Sequence, residues 1–216
     1  MNDALVRLEK VTFGYGERLV LEACDFELHA GERLGLAGSN GSGKTTLLAL
    51  IVGLLRPRQG RVIVLGDERR TEADFRAVRG PVGLLFQDSD DQLFSPTVAE
   101  DVAFGPFNLG RPRKEVEAIV EQTLAQLGME DYAERVTYKL SGGEKRLVAL
   151  ATVLAMAPEV LLLDEPTAGL DEVATARVTD ILLGLPQAMV LVSHDREFLR
   201  RTATRTLLLE GGRVVA

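Results

Sequence analysis

The sequence predicts an α/β fold with a mostly parallel central sheet, an antiparallel sheet at its N-terminal side and an inserted helical lobe. Three observations carry that prediction. A glycine-rich turn at 38–45 lies between a short apolar strand and an apolar helix, several runs of four or five residues downstream are continuously apolar, and helical periodicity fills much of 98–157.

Residues 5–13 and 20–28 nearly alternate between apolar and polar, with Gly14-Tyr15-Gly16 and Ala30-Gly31-Glu32 as punctuation, and so read as paired antiparallel strands. Residues 33–37 run as a strand into the glycine-rich turn, and 44–53 continue as an apolar helix. Further strands are expected at 61–65, 82–86, 160–163, 189–192 and 206–209, with 33–37 the first and 61–65 the second of the central group. Between the third and fourth of that group the texture changes. Residues 98–104, 114–127 and 143–157 have helical periodicity, and Gly105-Pro106 and Arg111-Pro112 read as breaks. The expected organisation is a single domain over 1–216, with a helical subdomain at about 88–157 inside it. There is no internal repeat, low-complexity stretch or linker.

Composition narrows the function classes. With 216 residues, 46% of them hydrophobic, the chain can bury one substantial core. A net charge of −7 and a pI near 5.0 argue against broad electrostatic attraction to nucleic acid or to an anionic lipid surface, so no nucleic-acid partner is expected. Cys24 is the single cysteine, so no internal disulfide forms and a reducing compartment is expected. The longest uncharged apolar stretch, 47–55, falls far short of the roughly 20 residues that span a bilayer, so a membrane role is expected to be peripheral.

Residues 38–45 read Gly38-Ser39-Asn40-Gly41-Ser42-Gly43-Lys44-Thr45, the G-x-x-x-x-G-K-[ST] pattern of a phosphate-binding loop. Backbone N–H groups freed of Cβ obstruction at the glycines converge on phosphate oxygens at a helix N-terminus, whose dipole favours anions. Lys44 adds a point charge for the β and γ phosphates, and the Thr45 hydroxyl suits Mg²⁺. The expected phosphate-binding set is Gly38, Ser39, Asn40, Gly41, Ser42, Gly43, Lys44, Thr45 and Thr46.

Asp164 and Glu165 end the apolar run 160–163, so a parallel sheet delivers both carboxylates to its C-terminal edge, where such sheets bind ligands. Asp164 suits the metal and Glu165 the attacking water, because an acid committed to the metal cannot also take a proton. A solvated pair capping the next helix fits the same residues. Ser141-Gly142-Gly143 precedes a helical run and makes a second anion site, or no more than a helix cap.

Phosphate loop, Leu140-Ser141-Gly142-Gly143-Glu144 and Leu161-Leu162-Leu163-Asp164-Glu165, in that order, resemble an ATP-binding-cassette ATPase across nearly the whole chain. The resemblance implies a P-loop cassette that hydrolyses ATP as a head-to-tail homodimer or heterodimer, with Ser141, Gly142 and Gly143 contacting the γ-phosphate on the opposite cassette. Glu144 stands where the commonest family form has Gln. The same resemblance gives Tyr15 the adenine, Gln87 the Mg²⁺ and attacking water, His194 the γ-phosphate and Asp171 the opposite site. On residue type alone Tyr15 reads equally well as a core or turn residue and an isolated Gln87 as a solvated loop residue, while a helix cap at Asp171 is compatible with its role at the opposite site.

Residues 86–106 are similar to the ATPase subunits of cobalt, nickel and energy-coupling-factor vitamin importers. That implies an integral membrane coupling subunit and a substrate-capture subunit as partners, at the cytoplasmic face. A groove for a short partner helix is expected near Leu93, Phe94 and Val98, where core packing is the competing reading. Asp88, Asp90 and Asp91 have no His or Cys nearby and read as a solvated acidic loop rather than a transition-metal site. The sequence stops at Ala216 without the C-terminal segment many such importers carry, so dimerisation is expected to need ATP and the membrane partner. An ABC exporter, a non-transport cassette and a phosphoryl-transferring kinase are the alternatives.

Overall fold

A computed structural model of the chain describes residues 4–215. In chain order the elements are β1 (Ala4–Tyr15), β2 (Arg18–His29), β3 (Arg33–Ala37), α1 (Lys44–Ile51), β4 (Gln59–Val64), β5 (Asp67–Glu68), α2 (Glu72–Arg76), β6 (Val82–Leu85) and α3 (Val98–Asn108). There follow α4 (Arg113–Gln126), α5 (Gly142–Leu154), β7 (Val160–Asp164), α6 (Glu172–Gly184), β8 (Ala188–Val192), α7 (Arg196–Thr202), β9 (Arg205–Glu210) and β10 (Arg213–Val215). They fall into two compact units. One comprises the chain up to Leu84, Glu159–Glu165 and the chain from Pro186, and the other Leu85–Pro158 and Pro166–Leu185.

The first unit carries two sheets. An antiparallel sheet has the order β2-β1-β4-β5, and a six-stranded sheet has the order β10-β9-β3-β8-β7-β6. In the second sheet β3 pairs in parallel with β8 and β9, β7 pairs in parallel with β8, and β10 closes one edge antiparallel to β9. This is the α/β class that the sequence predicts. Strands β7 and β8 are buried at every residue, which is why they read as unbroken apolar runs. Each fully buried Leu or Val there contributes roughly 1.5–3 kcal/mol. The core of this unit joins Leu34 and Leu36 of β3, Leu47 and Leu50 of α1, and Leu162 and Val190 of β7 and β8.

The strand expected at 61–65 is a correction. It is β4, and it pairs antiparallel with β1 through Val6↔Val64 and Leu8↔Val62, outside the parallel sheet. Its alternating end, with Val62 and Val64 buried and Arg61 exposed, marks a sheet with one apolar face.

The second unit is helical. Thr97 caps α3 by accepting the Glu100 N–H, while the Glu100 carboxylate accepts the Thr97 N–H. Pro112 fixes φ just before α4. Helix α3 packs against α4 and α5. Here too the sequence reading needs correction, because Gly105-Pro106 does not break α3, which continues to Asn108. Gly105 is small because α3 crosses the end of α5: a Cβ there would lie 2.6 Å from Met156 Cγ. Packing against α5 outweighs the loss of the proline N–H. Val98 is fully buried and belongs to the core, not to a groove floor.

Candidate functional site

In the first unit, β3 ends at Ala37 and the chain turns through 38–43 into α1. Gly43 stands at the helix N-cap position with φ 109°, a conformation that L side chains rarely adopt, and no side chain caps the helix. The first amides of α1 therefore have no side-chain acceptor competing for them. The Ser42 hydroxyl is buried without a hydrogen-bond partner, so the turn holds an unmet polar group that a phosphate oxygen would satisfy.

Lys44 is 7% exposed, and its Nζ donates to the carbonyls of Gly38 at 2.8 Å and Ser39 at 3.0 Å. Burial pushes its pKa below the usual lysine value, while the carboxylates of Glu165 and Asp164 pull it back up. A buried ammonium held by neutral carbonyls is a strong anion receptor, because little further desolvation is needed when an anion arrives.

Parallel pairing of β7 with β8 sets Asp164 opposite Val192, and the Glu165 N–H extends the ladder to the Val192 carbonyl at 2.9 Å. Thr45 Oγ1 donates to Asp164 Oδ2 at 2.6 Å. A hydroxyl beside a carboxylate is the oxygen donor set that a hard divalent cation takes, so Thr45 and Asp164 fit Mg²⁺. Glu165 is 6% exposed with φ 48°, an outlier for a residue other than glycine. Its carboxylate accepts the His194 N–H at 3.3 Å, and Oε1 lies 3.0 Å from His194 Nε2. His194, beyond the end of β8, is half exposed, so a buried acid and an accessible imidazole share one sheet edge. Tyr15 is 56% exposed at the end of β1, edge-on to Phe13, with its hydroxyl 3.5 Å from Thr46 Oγ1.

Gln87, Ser141, Gly142, Gly143 and Asp171 lie in the second unit. Gln87 is exposed just after β6. Ser141 opens α5 in a reciprocal capping box, its Oγ accepting the Glu144 N–H at 3.3 Å and Glu144 Oε2 accepting the Ser141 N–H at 2.8 Å. Glu144 also accepts the Tyr132 hydroxyl at 2.8 Å and pairs with Arg135 at 3.4 Å. The Ser141 N–H and the Tyr132 hydroxyl hold its carboxyl below the usual glutamate range. Asp171 caps α6 by accepting the Ala174 N–H at 2.8 Å.

Within the same unit, Asp88 caps a short turn through the Asp90 N–H and Asp90 pairs with Lys145 at 2.6 Å. Helices α3 and α4 enclose a groove of about 980 Å³. Phe104, Phe107, Val116 and Val120 supply apolar wall, and Glu100, Glu117, Glu121, Glu130 and Glu134 make a predominantly acidic rim in which Arg113 pairs with Glu117. Phe94, 65% exposed, stacks edge-on against Phe104. The sequence reading missed α4's share of this groove. The signal was present in Val116 and Val120, one helical turn apart and followed at the same spacing by Leu124. Among the described residues no helix is long and apolar enough to cross a membrane.

Comparison with known proteins agrees with this geometry. The family profile described as ABC transporter matches residues 21–168. A putative ABC transporter ATP-binding protein of Brucella suis is 50% identical over 211 residues, covering 98% of this chain and 88% of that relative. The energy-coupling factor transporter ATP-binding protein EcfA of Methanothermobacter thermautotrophicus is 42% identical over 98% of this chain and 70% of its own length. Among solved structures, cbiO1 from Clostridium perfringens, described as part of the ABC transporter complex cbiONQ, superposes with a TM-score of 0.90 at 32% identity, covering 99% of this chain and 88% of that one.

Proposed function

Because this chain belongs to the ABC transporter family as an ATP-hydrolysing cassette, we propose that it is the peripheral ATPase subunit of a membrane importer of the energy-coupling-factor type. Cobalt, nickel or a vitamin is the cargo class, and residues 1–216 work as one cassette at the cytoplasmic face. Likeness to EcfA and cbiO1 supports the branch. The apolar, acid-rimmed groove between α3 and α4 supports an integral coupling subunit as partner, since it suits an amphipathic helix with basic flanks. A substrate-capture subunit carries the cargo.

The ATPase reading is carried by one observation: Lys44, Thr45, Asp164, Glu165 and His194 are tied together at one sheet edge. The turn 38–46 binds the phosphates, with Lys44 on the β and γ groups and the Ser42 hydroxyl and the α1 amides on their oxygens. Mg²⁺, when bound, neutralises phosphate charge, and Thr45, Asp164 and Gln87 would hold it. Glu165 accepts the proton of the attacking water. The bond from water oxygen to γ-phosphorus forms as the bond to the ADP oxygen breaks, and ADP and phosphate leave. His194, at hydrogen-bond distance from Glu165, orients that carboxylate and faces the γ-phosphate. Tyr15 stacks on adenine. Ser141, Gly142, Gly143 and Asp171 complete the site of a second cassette in an ATP-dependent dimer.

Glu165→Gln is expected to lower kcat by about 10²–10⁴-fold with ATP binding retained. Full turnover in that variant sinks the assignment. For the branch, affinity purification from gently solubilised membranes is expected to recover an integral coupling subunit with a small capture protein. An exporter-like permease in its place overturns the importer reading alone.

A further inference from the structure

Arg146 lies one turn into α5 from Ser141-Gly142-Gly143 and is 3% exposed. A buried guanidinium is tolerated only where acceptors meet its donors. Its Nε donates to the Pro166 carbonyl at 2.9 Å, and a terminal nitrogen donates to the carbonyls of Phe86 at 2.5 Å and Gln87 at 3.3 Å. These acceptors are 20, 60 and 59 residues away along the chain. Pro166 directly follows Glu165, and Gln87 is itself assigned to the site.

Two more side chains fasten the same segment to α5. Gln92 accepts the Phe86 N–H at 3.2 Å and donates to the Ala149 carbonyl at 2.9 Å and to Thr152 Oγ1 at 2.7 Å. Lys145 pairs with Asp90 at 2.6 Å. Those two contacts hold residues 86–92 alone, whereas Arg146 also reaches the backbone beside Glu165.

We propose that Arg146 is a positioning residue for ATP hydrolysis: it locks the backbone at Gln87 and the backbone next to Glu165 to the helix that begins at Ser141, so that the three segments move as one body. The inference rests on the roles proposed above for Gln87, Glu165 and Ser141. Its physical basis is the rigid planar fork of the guanidinium, which satisfies separate carbonyls from one place, whereas an ammonium is a single charge on a flexible stem. A ligand that engages the N-terminus of α5 then acts on the Gln87 segment and on the chain at Pro166 without touching either.

The test uses the full chain with MgATP as Arg146→Lys, Gln87→Ala and the double variant. In a Glu165→Gln background, Arg146→Lys is expected to keep ATP affinity within about threefold. In the parent background it is expected to lower kcat by roughly tenfold or more, as small misplacements of reacting groups do. Adding Gln87→Ala to Arg146→Lys then lowers kcat by less than about twofold further, because a Gln87 side chain that has already lost its position has little left to contribute. A kcat within about twofold of the parent, or losses that simply multiply, overturns the proposal.

Should Arg146→Lys fail to fold, hydrogen exchange on the Glu165→Gln chain decides. Amides of 86–90, 141–146 and 167–170 are expected to gain protection together on adding MgATP, and protection of one segment without the others overturns the proposal. Full turnover by Glu165→Gln overturns the site assignment beneath it, and is distinguishable because Arg146 is intact in that variant.

Discussion

The chain presents two helix N-termini of opposite character. At α1 the entering residue is Gly43 in a left-handed conformation with no side-chain cap, and the adjacent Ser42 hydroxyl is buried without a partner. At α5 the entering residue is Ser141, whose hydroxyl and N–H are both engaged with Glu144, which is held in turn by Tyr132 and Arg135. The first end has donors in search of an anion and a buried cation beside them. The second has internal acceptors for part of its donor set, and its nearby cations are engaged within the unit, Arg135 with Glu144, Lys145 with Asp90 and Arg146 with backbone carbonyls. On the assignment proposed above, that difference separates a complete anion site from a half-site that acts on a ligand held elsewhere.

The sharpest way to break this comparison is to remove the cation. Lys44→Ala is expected to cost about 1.5–3 kcal/mol of ATP binding, roughly tenfold to a hundredfold in Kd, by titration calorimetry. An equal loss in the isolated chain from Ser141→Ala would remove the distinction between site and half-site.

A second test puts the same substitution at both ends. Gly43→Ala forces a Cβ into a φ of 109° and within 2.9 Å of Val20 Cγ1, and is expected to destabilise the chain by about 1–3 kcal/mol. Gly142→Ala meets nothing within 4 Å in the first turn of α5, and is expected to be neutral or to stabilise by up to about 1 kcal/mol. Urea denaturation of the two variants measures both, and effects of the same sign would contradict the geometry.

The smallest expected effect sharpens the description of α5. Because the folded-state pKa of Glu144 is depressed, the unfolded chain binds its proton first as pH falls. Its contribution to stability is therefore present above the ordinary glutamate value and is lost as pH drops through the lowered folded one. With the Glu144 side chain partly exposed to solvent, the contribution is under about 1 kcal/mol. Glu144→Gln keeps an acceptor for the Ser141 N–H and is expected to flatten the part of the stability profile that falls as pH drops from the ordinary glutamate value through the lowered folded one, as read by urea melts. An unchanged profile would show that the charge does not reinforce the cap.

Much of this was legible beforehand because it is local. The turn 38–45, the acids after an apolar run and the serine before a helical period are patterns within a few residues, and each lies where its pattern indicated. The errors were also local readings, overruled by distant partners. Gly105-Pro106 reads as a break until Met156 is found against it, and 61–65 reads as a central strand until its antiparallel pairing with β1 is seen. Val98 gave no sign of its full burial, because an apolar residue at a helix start serves a core or a groove equally well.

By itself the sequence determined which residues are candidates for the chemistry, since residue type and short spacing limit what a loop or a strand end can bind. Only the tertiary structure decided which of them meet. The Thr45 hydroxyl and the Asp164 carboxylate are 119 residues apart in the chain and 2.6 Å apart in space, and His194 and Glu165 touch across 29 residues. Their meeting depends on the register of parallel strands buried on both faces. Uniformly apolar sequences such as β7 and β8 carry no alternation from which that register can be read, so packing alone sets it.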